Sequence, residues 1–106
     1  MDELTASEAA RVIDKDPDNH VLLDVREAVE LQMAALDDVV HIPMGEIPAR
    51  IDELDRDKTI ICLCKSGGRS AQVGRYLLEQ GFTQVVNLAG GINAWSEDVD
   101  ASVPLY

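Results

Sequence analysis

The chain has 106 residues, 46% of them hydrophobic and 27% charged, which fits one globular domain over residues 1–106 that buries its own core without disulfides or metal ions. Its formal net charge of −11 argues against nucleic acid and against an anionic membrane surface as main partners, because the field of the protein repels polyanions. The sequence shows no signal-peptide pattern, no apolar run of membrane length and no disulfide framework, so we expect a cytoplasmic protein.

The first predicted elements are a helix and a strand. Residues 5–8, Thr-Ala-Ser-Glu, have the pattern of a capping box and predict a short amphipathic helix over residues 9–13. Residues 21–25 form an apolar run interrupted only by Asp24. Such a run is typical of a parallel strand that is covered on both faces.

The next segment predicts two short helices with a strand between them. We expect a helix over residues 28–36 with Leu31 and Ala35 facing inward, and then a strand over residues 39–42 that ends before a proline. Apolar residues at helical spacing predict a second helix over residues 47–54.

The second half of the chain begins with its most apolar strand. Residues 59–63 predict a buried strand, and the helix after the next loop ends at Gly81. Residues 85–88 predict a short strand, two glycines then begin a short helical turn, and residues 96–106 read as a polar tail. Because strands alternate with helices, we predict an α/β fold with a single open, mostly parallel sheet and helices on both faces.

The loop after the apolar strand carries the strongest chemical signal. Cys64 follows the strand directly, at the kind of strand end where open parallel sheets bind ligands. The first N–H groups of the following helix have no partners within it, and its dipole favours negative charge. Lys65 and Arg69 add two cations, and Gly67 and Gly68 let successive amides point inward as an anion-binding nest. We therefore expect a stabilised thiolate at Cys64 that acts as a nucleophile.

Simpler interpretations stay open for these residues. A free cysteine is commonly a core residue without a chemical role, and we interpret Cys62, inside the apolar run, in this way. Residues 58–78 carry four basic residues and no acidic one, although charge also fluctuates along short chains. A metal site from both cysteines with His20 and His41 has the wrong cysteine spacing for a closed zinc site, so we expect no metal and no cofactor.

Four motifs, in their order and spacing, resemble those of the rhodanese-like domain family. They are VLLDVR at residues 21–26, HIP at residues 41–43, CKSGGRS at residues 64–70 and NLAGGINAW at residues 87–95. The resemblance extends over nearly the whole chain. It implies a five-stranded parallel sheet, with the additional short strand near Leu4, and a sulfurtransferase activity in which the loop cysteine carries sulfur as a persulfide.

The resemblance also implies roles for individual residues. It makes Cys64 the sulfur-accepting nucleophile, and it makes the loop after it the binding site for the persulfide and for a small anionic sulfur donor. The candidate binding residues are Lys65, Ser66, Gly67, Gly68, Arg69 and Ser70, with the two cations steering and holding the donor. Asp24 and Arg26 match family positions as well, and we interpret them as a polar pair that supports the end of the sheet.

The expected reaction is a double displacement without a cofactor. The Cys64 thiolate attacks the outer sulfur of thiosulfate or a related donor, and sulfite or a thiol leaves. An acceptor such as cyanide, a small thiol or a protein thiol then removes the sulfur from the persulfide.

Two other functions on the same fold are alternatives. The related phosphatases have five residues between cysteine and arginine, whereas four stand between Cys64 and Arg69, so a phosphatase or an arsenate reductase is disfavoured. A noncatalytic binding module or a sulfur-carrier module is the main alternative, and the presence of Cys64 in a cationic loop disfavours it.

Overall fold

The apolar runs of the sequence form the strands of one parallel sheet in the computed structural model, which describes residues 1–106. The strands are β1 (Asp2–Leu4), β2 (His20–Asp24), β3 (Val40–His41), β4 (Thr59–Leu63) and β5 (Val85–Leu88). The helices are α1 (Ala6–Lys15), α2 (Ala28–Met33), α3 (Ile47–Arg50), α4 (Gly68–Glu79) and α5 (Gly91–Asp98). The strand order is β1-β5-β4-β2-β3, which confirms the predicted α/β fold with five parallel strands.

The sheet separates two hydrophobic cores, because successive side chains of a strand point to opposite faces. Ile60 and Cys62 of β4 belong to the core that α4 covers, and Ile61 and Leu63 belong to the core that α1 and α5 cover. All four residues are fully buried. This is why the run is continuously apolar rather than alternating.

Helix ends follow local signals in the sequence. The Glu8 backbone N–H donates to Thr5 Oγ1 (3.1 Å), and the Thr5 backbone N–H donates to Glu8 Oε1 (2.9 Å), so the capping box that precedes α1 is formed as predicted. Gly81 has a φ of +94° just after α4, as the helix-ending glycine requires.

The predicted segment over residues 28–42 differs from the structure. Helix α2 ends at Met33, and Ala34, in extended backbone, is buried, whereas Ala35 is exposed instead of facing inward. The helix is therefore three residues shorter than predicted, and Ala34 rather than Ala35 fills the buried position. The following strand covers only two residues, since β3 is the edge strand and pairs with β2 alone.

Two further segments differ from the prediction: one predicted helix is divided in two, and the predicted tail is partly helical. The predicted helix over residues 47–54 is split into α3 and a 3-10 turn, Ile51–Glu53, which rises further per residue and brings Leu54 into the core. The predicted tail over residues 96–106 begins inside α5, where Ser96 lies one turn after the buried Ile92. Val103 is buried there as well, and its carbonyl accepts a hydrogen bond from Ser96 Oγ (2.5 Å).

The fold brings the carboxyl ends of the three central strands β5, β4 and β2 to one edge of the sheet. The residue after β4 is Cys64, and the backbone N–H of Val25, just after β2, donates to the carbonyl of Leu63 (3.0 Å). None of the five helices has both the length and the apolar character required to cross a membrane.

Candidate active site

Cys64 lies at the bottom of the loop between β4 and α4, and only 1% of its surface is exposed. Its Sγ atom accepts a hydrogen bond from the Gly67 backbone N–H (3.0 Å) and lies 3.2 Å from the hydroxyl of Ser70. Gly67 has a φ of +113°, a backbone conformation that favours glycine, and this turn directs its N–H back toward the sulfur.

The two cysteines have opposite acid–base behaviour. Burial raises the pKa of Cys64, but hydrogen bonds from the Ser70 hydroxyl and from three backbone N–H groups, those of Ser66 and Gly67 in the loop and of Ser70 in the first turn of α4, outweigh it, so the pKa falls below its ordinary value of 9.0. Burial raises the pKa of Cys62 to about 12. Because the thiolate is the reactive form, Cys64 is the nucleophilic cysteine of the pair by its surroundings.

The side chain of Asn87 forms hydrogen bonds both with the Ser70 hydroxyl and with the loop. It is a buried polar side chain on β5: its Oδ1 accepts from the Ser70 hydroxyl (2.6 Å), which Asn87 thus shares with Cys64 Sγ, and its Nδ2 donates to the carbonyl of Gly67 (3.1 Å). Asn87 is the first residue of the motif at residues 87–95, but no role for its side chain was predicted from the sequence. The available signal was a polar residue inside an apolar strand, which requires a buried partner.

The start of α5 supports the loop from the other side. The backbone N–H groups of Ile92 and Asn93 donate to the carbonyls of Cys64 (2.8 Å) and Lys65 (3.2 Å). Gly91 lies against both carbonyl oxygens at a φ of +60°, and a Cβ atom at this position would collide with them. Gly91, the second glycine of the pair before α5, therefore allows the loop carbonyls of Cys64 and Lys65 to lie against the start of α5.

The two cations of the loop already have partners within the chain. The guanidinium of Arg69 forms a bidentate ion pair with Glu30, with Nη1–Oε1 and Nη2–Oε2 distances of 2.6 and 2.9 Å. Hydrogen bonds from Arg69 and from Tyr106 lower the pKa of Glu30 to about 2 despite partial burial. The ammonium of Lys65 lies 4.8 Å from the ring centre of Tyr106. Neither Glu30 nor Tyr106 was singled out from the sequence.

Asp24 and Arg26 form a fully buried ion pair beside the loop. Arg26 Nη2 is 2.7 Å from Asp24 Oδ2, and both the Nε and the backbone N–H of Arg26 donate to Asp24 Oδ1 (3.0 and 3.1 Å). The remaining nitrogen, Nη1, donates to the hydroxyl of Tyr106 (2.9 Å). The pair does not contact Cys64 by hydrogen bonding and links the end of β2 to the C-terminal tyrosine.

Only some of the predicted site residues 64–70 face the sulfur atom of Cys64. The loop amides and Ser70 face Cys64, whereas Ser66 and Gly68 are exposed and Arg69 is turned to Glu30. His20 and His41 lie apart from one another, and each donates a ring N–H to a backbone carbonyl, His20 Nδ1 to that of Asp16 and His41 Nε2 to that of Arg26. No group of three or more His, Cys, Asp or Glu side chains is arranged to hold a metal ion.

The role of Ser70 can be tested through the pH dependence of Cys64. We expect Ser70→Ala to raise the pKa of Cys64, so that its alkylation profile moves to higher pH and its rate near neutral pH falls roughly tenfold. The measurement is the rate of modification by iodoacetamide across the pH range. Ser96→Ala removes another buried hydroxyl that donates to a carbonyl elsewhere and should leave the profile unchanged. An unshifted profile for Ser70→Ala would contradict this role.

Comparison with known proteins gives consistent matches. Residues 5–98 match the model of the Rhodanese-like domain. The chain is 47% identical over 74 residues to the putative sulfurtransferase YtwF of Bacillus subtilis, covering 70% of this chain and 71% of that protein. It is 36% identical over 94 residues to the putative sulfur carrier protein YrkF of the same organism, covering 89% of this chain and 50% of that one. The crystal structure of a rhodanese-related protein from Thermoplasma volcanium matches over 100% of both chains with a TM-score of 0.83 and 28% identity.

Proposed function

The chain belongs to the rhodanese-like domain family, and we propose that it is a sulfurtransferase that moves a sulfane sulfur from thiosulfate or a related donor to a thiol or cyanide through a persulfide on Cys64. The observation that carries the proposal is the sulfur of Cys64, whose pKa is lowered by the hydrogen bonds of the loop. The named relatives, a putative sulfurtransferase and a putative sulfur carrier, support sulfur transfer in general.

The first half-reaction loads the sulfur. The Cys64 thiolate attacks the outer sulfur of the donor and forms a new S–S bond, while the bond between that sulfur and the rest of the donor breaks. Its electron pair leaves with sulfite, when the donor is thiosulfate, or with a thiolate. The amides of Ser66, Gly67 and Ser70, which face Sγ, are placed to stabilise negative charge on the persulfide.

The second half-reaction unloads it. A thiolate or cyanide attacks the terminal sulfur of the persulfide, and Cys64 leaves as the thiolate with which the cycle began. The overall transfer is balanced without an external oxidant or reductant, so the proposal includes no cofactor. Two free cysteines suit a reducing compartment, and we propose a cytoplasmic location.

The kinetic order tests this scheme. We expect initial rates with donor and acceptor both varied to give parallel double-reciprocal lines, and thiosulfate alone to release about one sulfite per chain. Intersecting lines would contradict the double displacement. Loading without turnover to small acceptors would favour the alternative, a sulfur-carrier module that delivers its sulfur to a protein. No loading from any sulfur donor would favour a noncatalytic binding module.

A further inference from the structure

The ion pair between Glu30 and Arg69 changes the charge that a sulfur donor meets above Cys64. Glu30 is held from three sides: by Arg69, by the Tyr106 hydroxyl (2.6 Å) and by the backbone N–H of Glu27 (3.1 Å). Only 15% of its side chain is exposed, so the carboxylate is a fixed part of the site rather than a mobile surface group. The guanidinium of Arg69 is therefore not free to bind a substrate anion without releasing this carboxylate.

The remaining charges near the loop also balance one another. Lys65 is the second cation, and it lies against the ring of Tyr106. Glu3 is the second anion, since its Oε2 accepts from Asn87 Nδ2 (2.8 Å), the same nitrogen that donates to the loop carbonyl of Gly67. Lys65 and Arg69 against Glu3 and Glu30 sum to zero, on a chain whose formal net charge is −11. The charged side chains therefore supply no net positive charge to attract a small dianion, and the backbone N–H groups around Cys64 are left as its anion-binding groups.

We infer that Glu30 is a specificity-determining residue, which disfavours divalent anionic donors such as thiosulfate and leaves the site suited to hydropersulfide donors, RSSH. The inference rests on the proposed function and names its substrate class. A hydropersulfide carries no sulfonate that needs a free cation. The Cys64 thiolate attacks its outer sulfur, the S–S bond of the donor breaks, and RS⁻ leaves while the proton stays on the new Cys64 persulfide.

Glu30→Gln tests the inference, because glutamine keeps an oxygen for the Glu27 N–H but removes the charge. We expect the rate constant for loading Cys64 from thiosulfate to rise roughly tenfold, since a freed Arg69 attracts a dianion, and loading from cysteine hydropersulfide to change less than about twofold. The rise should shrink with added salt. Loading is followed by intact mass, and circular dichroism verifies the fold.

Three companion arms assign the effect. Glu79→Gln removes the same charge at the far end of α4 and should leave the ratio of the two rate constants as in the wild type. Adding Arg69→Gln to Glu30→Gln should cancel the gain, because the gain requires a free guanidinium. A short peptide with one persulfidated cysteine is compared with cysteine hydropersulfide, to distinguish a protein-borne donor from a small one. If either donor loads Cys64 at a rate that Glu30→Gln leaves unchanged, the inference is supported.

The outcomes separate this inference from the proposed function. If both donors load Cys64 and Glu30→Gln leaves their ratio unchanged, the inference is wrong and the sulfurtransferase proposal stands. If neither donor loads the wild type, the proposed function itself fails. Should Glu30→Gln not fold, Glu30→Ala removes the same charge without placing an amide against Arg69, and an unchanged ratio for that variant overturns the inference equally.

Discussion

Cys64→Ala abolishes sulfur uptake, whereas Cys62→Ala retains it: this is the largest effect that we expect. The two thiols are two residues apart on one strand and its end, yet only Cys64 Sγ receives hydrogen bonds from the loop. The pKa of Cys62 is raised to about 12 by burial, which leaves almost no thiolate at neutral pH. We expect loading from any sulfur donor to fall more than about a thousandfold in Cys64→Ala, as when an enzyme loses its nucleophile.

The measurement is the intact mass of the reduced protein before and after exposure to thiosulfate and to a hydropersulfide. Cys62→Ala is the matched control, because it removes the same atom from the neighbouring core. It should cost about 1 kcal/mol of stability and still gain one sulfur. Sulfur gain by Cys64→Ala would show that another residue accepts the sulfur, and the mechanism proposed for Cys64 would be wrong.

Much of the fold was predictable because its signals are local. The apolar runs at residues 21–25 and 59–63 mark buried strands by composition alone, and the capping box marks the start of α1 within four residues. The end of α2 was not predictable in this way. Ala34 and Ala35 are chemically identical, and only packing of the completed fold determines which one is buried.

The part of the site that is contiguous in sequence was also predictable. The loop over residues 64–70 is contiguous, so a cysteine before a Gly-Gly turn and a helix start could be interpreted without knowing the rest of the fold. The partner of Arg69 could not be found this way, because Glu30 lies 39 residues earlier. Tyr106, which bonds to Glu30, is 76 residues from it and belongs to a segment expected to be a polar tail. The sequence therefore predicted the two cations near Cys64, but it did not predict that Glu30 pairs with Arg69 or that Tyr106 lies against Lys65.

Asp24→Ala should be among the most destabilising substitutions in the chain. It leaves the guanidinium of Arg26, which is fully buried, without its counterion, and such a loss costs roughly 3–5 kcal/mol. A domain of this kind is stable by only about 5–15 kcal/mol, so the urea midpoint should fall steeply. Trp95, the only tryptophan, is the fluorescent probe for unfolding.

Two further variants distinguish a lost charge partner from general damage at this position. Combining Asp24→Leu with Arg26→Met removes both charges and should recover much of the lost stability, because no uncompensated charge is then buried. Glu53→Gln breaks the exposed pair with Arg50 and should leave the midpoint almost unchanged, since water and salt already screen that pair. If the double variant were as unstable as Asp24→Ala, packing rather than charge would hold this end of the sheet. If Asp24→Ala itself kept the wild-type midpoint, the buried pair would contribute nothing to stability, and the interpretation of Asp24 and Arg26 as a pair that supports the end of the sheet would be wrong.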